Sequence, residues 1–97
     1  LAGRVLISQQ GRVFRAQVAT NALAEKWPRF GSDKRLRVRI LAFMPDKRRR
    51  DLDNLLKSAM DALTHAGVWA DDSQIDSLLI ERAPTLGGML KVEVEAL

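Results

Sequence analysis

The chain has 97 residues, which are enough for one domain with a single core and too few for two. It contains no cysteine, which excludes disulfides and thiolate metal sites and suits the reducing cytoplasm, where we expect this protein. No apolar run approaches the roughly 20 residues that span a bilayer, so we expect no membrane partner, whereas a net charge of +4 is a modest indication of a polyanionic one.

The first half of the chain predicts an extended segment, a helix and a strand. Residues 4 to 7 read as the end of a strand. Ser8 can cap a helix in which apolar residues recur at steps of three and four to about Lys26. The Trp27-Pro28 pair should end this helix, because proline disfavours helical geometry in the residue before it. Residues 34 to 43 alternate between apolar and mostly basic side chains, which predicts a half-buried strand.

The second half of the chain predicts one helix and two strands. The helix is predicted from Leu52 to His65, with its apolar residues on one face and Gly67 placed to end it. The strands are predicted at about residues 75 to 82 and 89 to 95. A turn that contains proline and glycine joins them, and we expect them to pair as a hairpin.

The resulting element order is (β)αβαββ, and it predicts the fold class. Strands and helices in this proportion are typical of an α+β protein. We therefore expect residues 1 to 97 to form a single two-layer domain, in which a small mixed sheet carries the helices on one face.

Positive charge is concentrated in one segment of the chain. Residues 34 to 50 hold eight basic residues and one acid, a net charge of +7, so the remaining residues sum to −3. A concentrated basic segment is typical of proteins that bind nucleic acid. The loop before the second helix supplies the candidate residues for contacts with nucleic acid, which are Lys47, Arg48, Arg49 and Arg50.

Acidic residues follow this basic loop directly. Asp51 and Asp53 lie on either side of an apolar residue at the helix start, so their carboxylates can point the same way and repel each other unless a cation lies between them. Hard oxygen ligands of this kind select Mg²⁺ or Mn²⁺. The Asp71-Asp72 pair, beyond the helix, can supply a third ligand, and Lys57 lies one helical turn after Asp53.

Each of these features has a commoner structural explanation. An aspartate at a helix start is more often a cap, a basic loop is more often simply solvated, an Asp-Asp pair is usually a turn, and a lone lysine is usually a surface residue. Their conjunction makes a site as well supported as these structural explanations. Hydrolysis of a phosphodiester requires acids that hold a metal and cations that hold the nucleic-acid backbone.

One long motif resembles a known family. Residues 45 to 75 read P-D-K-R-R-R-D-L-D-N-L-L-K-x-x-x-D-A-L-x-x-A-G-V-W-x-D-D-x-Q-I, which is similar to the signature of the RusA family of Holliday junction resolvases, common in prophages. The resemblance extends through the Gly87-Gly88 turn and back to S-x-x-G-R-V-F-R at residues 8 to 15. It therefore covers most of the chain.

The resemblance implies a function and a set of site residues. The function is that of a Mg²⁺-dependent, structure-selective endodeoxyribonuclease that resolves Holliday junctions in DNA recombination and repair, with Mn²⁺ as an alternative ion. Asp51, Asp53 and Asp72 are implied to bind the catalytic metal, and Lys57 is implied to be the catalytic lysine. A homodimer is also implied, in which each of two active sites cuts one strand of a four-way junction.

The sequence gives two further expectations, one about a dimer contact and one about the N-terminal strand. The apolar residues Leu41, Val68 and Trp69 are ones that a domain of this size is not expected to bury fully, which favours a dimer contact there. Members of the family usually begin with a strand and a proline-rich segment, and neither is found before Leu1. We therefore expect this chain to lack its N-terminal strand, which would leave a sheet with three full strands.

Two other functions compete with the endonuclease. One is a module that holds branched DNA without cutting it, which would be marked by loss of a catalytic acid or of the lysine. The other is a basic domain for RNA or for a protein partner, in which the acids serve as helix caps. All of the acids and Lys57 are present here, which favours the endonuclease.

Overall fold

The computed structural model describes residues 2–8, 14–49 and 51–97, and it has the predicted α+β architecture with a mixed sheet. The helices and strands occur in the predicted order, and a short 3₁₀ helix precedes the third strand. In chain order the elements are β1 (Ala2–Ser8), α1 (Phe14–Ala24), β2 (Leu36–Phe43), α2 (Leu52–His65), the 3₁₀ helix (Asp72–Gln74), β3 (Ile75–Arg82) and β4 (Met89–Ala96).

The core lies on one face of the sheet, where the apolar residues of the central strands meet the helices. Strand β2 confirms the predicted alternation, because its inward side chains are buried and the opposite ones are exposed or half-buried. Strand β4 alternates in the same way. The buried residues of these two strands are Leu36, Val38, Ile40, Ala42, Leu90, Val92 and Val94.

The predicted hairpin between the last two strands is wrong. The strand order in the sheet is β1-β4-β2-β3, so β2 lies between β3 and β4. Strand β2 is parallel to β3 and antiparallel to β4. The connection from β3 to β4 instead crosses the end of β2, where the Ala83 amide donates to the Ala42 carbonyl at 2.8 Å and the Gly87 amide donates to the Met44 carbonyl at 2.9 Å. These backbone bonds hold the glycine-containing turn against β2.

Strand β1 forms one edge of the sheet. It pairs antiparallel with β4 over its whole length, for example with Val5 opposite Val92. Within the described residues the sheet therefore has four strands, where the sequence predicted three full ones and the end of another. That the chain lacks a strand before Leu1 stays a prediction.

The C-terminal end of helix α1 lies close to the end predicted from the sequence. It ends at Ala24, close to the predicted Lys26, and the Trp27 amide returns to the Ala22 carbonyl at 3.1 Å. Its predicted start after Ser8 involves residues 9 to 13, which lie outside the described residues.

Helix α2 has the predicted bounds and the predicted end. The Gly67 amide donates to the Thr64 carbonyl at 3.0 Å and the Val68 amide to the Leu63 carbonyl at 3.2 Å, which is the Schellman arrangement. This arrangement requires a left-handed residue, and Gly67 has φ of +82°. The buried face of the helix consists of Leu55, Ala59, Met60, Ala62 and Leu63.

The expectation that Val68 and Trp69 stay partly exposed is wrong. Both residues are only 1% exposed within a single chain. The Trp69 indole N–H also has a partner, because it donates to the Thr64 hydroxyl at 2.7 Å. The left-handed turn after α2 directs the chain back over the core, which buries these residues. They are therefore core residues and not a dimer contact. No helix in the described part of the chain combines the length and the apolar character needed to cross a membrane.

Candidate active site

Asp51 precedes helix α2 without capping it through its side chain. Its backbone is extended, with φ of −83° and ψ of 127°, and its carboxylate forms no capping hydrogen bond. Its carbonyl accepts the first helical hydrogen bond, from the Leu55 amide at 3.2 Å. The explanation of this residue as a side-chain cap therefore does not hold.

Asp53 and Lys57 form an ion pair along the exposed side of α2. The Lys57 Nζ lies 3.9 Å from Asp53 Oδ2, as expected for residues one helical turn apart, and the two side chains are 73% and 77% exposed respectively. Exposed pairs of this kind contribute little to stability, since water screens them and both long side chains lose entropy. The contribution of the Asp53–Lys57 ion pair to stability is therefore too small to explain its presence.

The two neighbouring acids at the 3₁₀ helix have different roles. Asp71 is the cap, because its Oδ2 accepts a hydrogen bond from the Ser73 amide at 2.9 Å. Hydrogen bonding from Ser73 also holds the pKa of the Asp71 carboxyl below its usual value. Asp72 is the first residue of the 3₁₀ helix itself. The structure thus distinguishes Asp71 from Asp72, which the sequence analysis treated as one pair.

Gln74 holds this acidic turn in place. Its side chain is among the buried groups, and the whole residue is only 3% exposed. Its carbonyl oxygen accepts from the amides of Ala70 at 2.9 Å and Asp71 at 3.0 Å. Its amide nitrogen donates to the carbonyls of Gly31 at 2.8 Å and Lys34 at 3.1 Å. One side chain thus joins the acidic turn to the segment that enters β2.

A cleft of about 570 Å³ lies between α2 and the beginning of β3. It brings three of the predicted residues together, namely Asp53, Lys57 and Asp72. Two acids that the sequence analysis missed lie there as well, and so do several apolar side chains. The additional lining residues are Asp61, Asp76, Leu56, Met60, Ile75 and Leu78.

The two missed acids differ in how far the sequence could have revealed them. Asp61 lies four residues after Lys57 on α2, so helical spacing places it on the same side as Asp53. Asp76 lies at an irregularity in the pairing of β2 with β3, which only the folded structure shows. The Arg35 guanidinium donates to Asp76 from Nε at 3.0 Å and holds the pKa of this carboxyl below its usual value.

The oxygen ligands in the cleft are of the type that suits a hard divalent cation such as Mg²⁺. Asp51 is not among the residues that line the cleft. Within the described residues, no group of three or more acids or histidines is close enough to form a metal site. A single chain thus brings Asp53 and Asp72 to one cleft, without a complete set of ligands.

The basic loop is exposed at the other end of β2 from the 3₁₀ helix. Lys47, Arg48 and Arg49 are all exposed. The Arg48 amide donates to Asp46 Oδ1 at 2.9 Å, which holds the loop backbone in a turn while the Arg48 side chain remains 82% exposed. Arg50, the fourth predicted contact, lies outside the described residues.

Comparison with known proteins gives consistent matches along the chain. A family model described as endodeoxyribonuclease RusA matches residues 1–95. The crossover junction endodeoxyribonuclease RusA of Escherichia coli strain K12 is 41% identical over 96 residues, which cover 95% of this chain and 77% of the relative. The protein of the same name from Enterobacteria phage 82 is 41% identical over 93 residues, and that from Shigella sonnei strain Ss046 is 42% identical over 93, both with the same coverage.

Replacement of Gln74 with alanine should destabilise the domain, because four backbone groups would lose their partner. We expect Gln74→Ala to lower the free energy of unfolding by about 2–4 kcal/mol, measured by urea denaturation. The matched control is Thr85→Ala, at an exposed position outside this turn, which should change it by less than about 0.5 kcal/mol. Equal stability of the two variants would contradict the structural role of the Gln74 amide.

Proposed function

Because this chain belongs to the RusA family of endodeoxyribonucleases, we propose that it is a Mg²⁺-dependent endonuclease that resolves Holliday junctions. The reaction is paired phosphodiester hydrolysis at a four-way junction, in DNA recombination and repair. The observation that carries the proposal is the cleft between α2 and β3, where Asp53, Lys57 and Asp72 lie together. Without the cleft, these residues would be separate surface groups.

The acids are proposed to hold the metal. Asp51, Asp53 and Asp72 are the proposed ligands, and the carboxylate of Asp51 supports this role because it is not engaged in capping α2. Held by these carboxylates, a divalent ion would supply polarisation of a phosphate oxygen and activation of the attacking water. Repulsion between these carboxylates and the phosphate is then reduced, which lets DNA approach an acidic cleft.

Lys57 is proposed to stabilise negative charge that develops on the phosphate in the transition state. Lys57 lines the cleft, and its Nζ lies 3.9 Å from Oδ2 of Asp53, one of the proposed ligands. A positioned cation of this kind acts on the rate of chemistry more than on binding.

The basic loop is proposed to hold the DNA backbone. Lys47, Arg48 and Arg49 project from the segment that leads directly into Asp51, so a strand bound by the loop would pass the start of α2. Contacts with phosphates position a substrate and do not read its sequence. Arg50 completes the proposed set.

A homodimer is part of the proposal. A four-way junction presents two equivalent strands, and a single cut leaves the branch linked. Two active sites related by a twofold axis therefore match the symmetry of the substrate.

Loss of a proposed metal ligand should separate cleavage from binding. We expect Asp53→Asn to lower the rate of junction cleavage in Mg²⁺ by more than about 100-fold, since loss of even a ligand's supporting partner costs 10–100-fold. Junction affinity should be kept or increased, because one negative charge is removed near the phosphate. The control is Asp33→Asn, which removes an exposed carboxylate outside the cleft and should cut normally. Wild-type protein that binds junctions without cutting them in Mg²⁺ or Mn²⁺ would instead favour the non-catalytic DNA-binding module.

Substitution of Lys57 should slow chemistry without weakening binding. Lys57→Ala is expected to lower the single-turnover cleavage rate at saturating enzyme by about a hundredfold or more, with junction affinity within a few-fold of wild type. Lys57→Arg should recover little activity, because a planar guanidinium places its charge differently from an ammonium. If both variants cut at the normal rate, Lys57 is a surface lysine that pairs with Asp53 and has no catalytic role.

Substitution in the basic loop should weaken binding to all DNA forms. We expect the double variant Arg48→Ala/Arg49→Ala to bind four-way junctions and duplexes less tightly by a similar factor. The slope of log affinity against log salt concentration should become shallower by about one unit per lost phosphate contact. The control is Lys34→Ala, an exposed cation before the opposite end of β2. An unchanged slope in the double variant would show that these arginines do not contact phosphate.

A further inference from the structure

Arg35 reaches from the segment before β2 to the acidic turn, residues 71 to 74. Its Nη2 donates to the Ser73 carbonyl at 2.8 Å, and its Nε donates to the Asp76 carboxylate at 3.0 Å. Ser73 directly follows Asp72, and Asp76 is the second residue of β3. One guanidinium thus binds the backbone next to Asp72 and the strand into which that backbone leads.

The backbone that carries Arg35 is itself anchored. The Arg35 carbonyl accepts a hydrogen bond from the Leu97 amide at 2.9 Å. The next residue, Leu36, is the first of β2 and is completely buried in the core. Arg35 therefore extends from a fixed point, and its contacts restrain the turn relative to the sheet.

An irregularity in the strand pairing supplies the carboxylate for this contact. Leu36 pairs with Ile75, whereas Arg37 pairs with Ser77, so Asp76 is an extra residue between two paired ones. An extra residue of this kind redirects a side chain away from the regular alternation of a strand. The contact with Arg35 joins Asp76 to a residue 41 positions earlier in the chain.

Arg35 and Gln74 attach the acidic turn at two points and in opposite directions. The Gln74 side chain donates from the turn to the Lys34 carbonyl at 3.1 Å, and the neighbouring Arg35 side chain donates to the Ser73 carbonyl of the turn. A single attachment leaves a turn able to rotate about it, whereas two attachments fix its orientation. Gln74 is buried, whereas the Arg35 side chain is 54% exposed.

We propose that Arg35 is a positioning residue for Asp72, which fixes the acidic turn in the orientation that the cleft requires to bind its divalent cation. This inference rests on the metal site of the proposed function and adds to it a residue that acts through the backbone of the turn. Groups that orient a ligand strongly affect metal affinity, whereas exposed ion pairs add little to stability. Arg35 should therefore act on metal binding far more than on unfolding.

Charge and position make opposite predictions for the loss of Arg35. A guanidinium repels a cation, and its removal also leaves the Asp76 carboxylate in the cleft without this partner, so charge alone should raise the affinity for a divalent cation. Loss of a positioning residue should lower that affinity, because Asp72 would no longer be held in the orientation for binding. The direction of the change distinguishes the two effects.

The affinity for Mn²⁺, measured without DNA from the EPR signal of the free ion, tests the inference directly. Arg35→Ala should bind Mn²⁺ about tenfold more weakly than wild type, the loss expected when a ligand's supporting partner is removed. Arg35→Lys should recover little, because an ammonium keeps the charge without the planar set of donors that contacts Ser73 and Asp76 together. Equal or tighter binding of Mn²⁺ by Arg35→Ala would overturn the inference.

The matched control is Arg37→Ala, two residues further along the chain. It removes the same charge and breaks another exposed ion pair, in which Arg37 Nη1 lies 3.4 Å from Glu95 Oε2. Neither Arg37 nor Glu95 lines the cleft, so the affinity for Mn²⁺ should change by less than about twofold. A loss in Arg37→Ala equal to that in Arg35→Ala would show a general effect of charge and would overturn the inference.

The metal dependence of junction cleavage should change in the same way. Arg35→Ala should require about tenfold more Mn²⁺ than wild type to reach half of its maximal rate. Its rate at saturating Mn²⁺ should stay within a few-fold of wild type, because Arg35 does not act on the phosphate. A lower rate at every concentration of Mn²⁺, with an unchanged half-maximal concentration, would mark a loss of folded protein and would overturn the positioning role.

Hydrogen exchange without metal tests the position of the turn by itself. The amides of Ser73 and Gln74, which donate to Asp71, should exchange faster in Arg35→Ala than in wild type or Arg37→Ala, while the amides in the middle of α2 should keep their rates. Unchanged exchange in the turn would overturn the inference and leave the proposed function in place. Wild-type protein that binds no Mn²⁺ and cuts no junction would overturn the proposed function, and this inference with it.

Discussion

The parallel pairing of β2 with β3 is the constraint on which the candidate site depends. Parallel neighbours cannot be joined by a tight turn, so the chain must cross over between them, and α2 is that crossover. The crossover presents the exposed side of α2, with Asp53 and Lys57, and then returns the chain to the start of β3 through the turn that contains Asp72. The cleft is the space between these two parts of one βαβ unit.

The position of Asp72 depends on a polar interaction inside the domain. Packing of α2 brings the chain near the start of β3 but does not determine the conformation of an acidic turn. The Gln74 side chain does so, because it satisfies two amides of the turn and two carbonyls before β2 at the same time. Buried polar groups that are fully satisfied favour one arrangement over all others, since any displacement leaves a donor or acceptor unpaired. Asp71 adds the local cap, so that the neighbouring carboxylate of Asp72 lines the cleft.

The basic loop and the acidic cleft lie in different parts of this fold and serve different parts of the proposed reaction. The cations of the loop before α2 are exposed, where phosphates can reach them without any change in the core. The acids of the cleft line one space, where a bound cation would lower the repulsion between them. Arg35 pairs with Asp76 at one side of the cleft, so this acid is already partnered by a cation of the chain. The boundary between the two regions is the step from the arginines to Asp51, which explains why the sequence changes from basic to acidic within a few residues.

The sequence by itself determined the features that depend on local periodicity and local backbone geometry. The bounds of α2, its end at Gly67, the buried face of β2 and the motif that includes Asp51, Asp53, Lys57 and Asp72 could all be predicted, because each is encoded within a few neighbouring residues. Only the tertiary structure decided which strands pair. The alternation of β4 is the same beside β2 as in a hairpin with β3, so the pattern of side chains could not distinguish the two arrangements. For the same reason the burial of Val68 and Trp69, the roles of Asp71 and Gln74, and the presence of Asp76 in the cleft followed from the fold. Each of them depends on contacts between segments that are distant in the chain, or on the packing of a turn against the core.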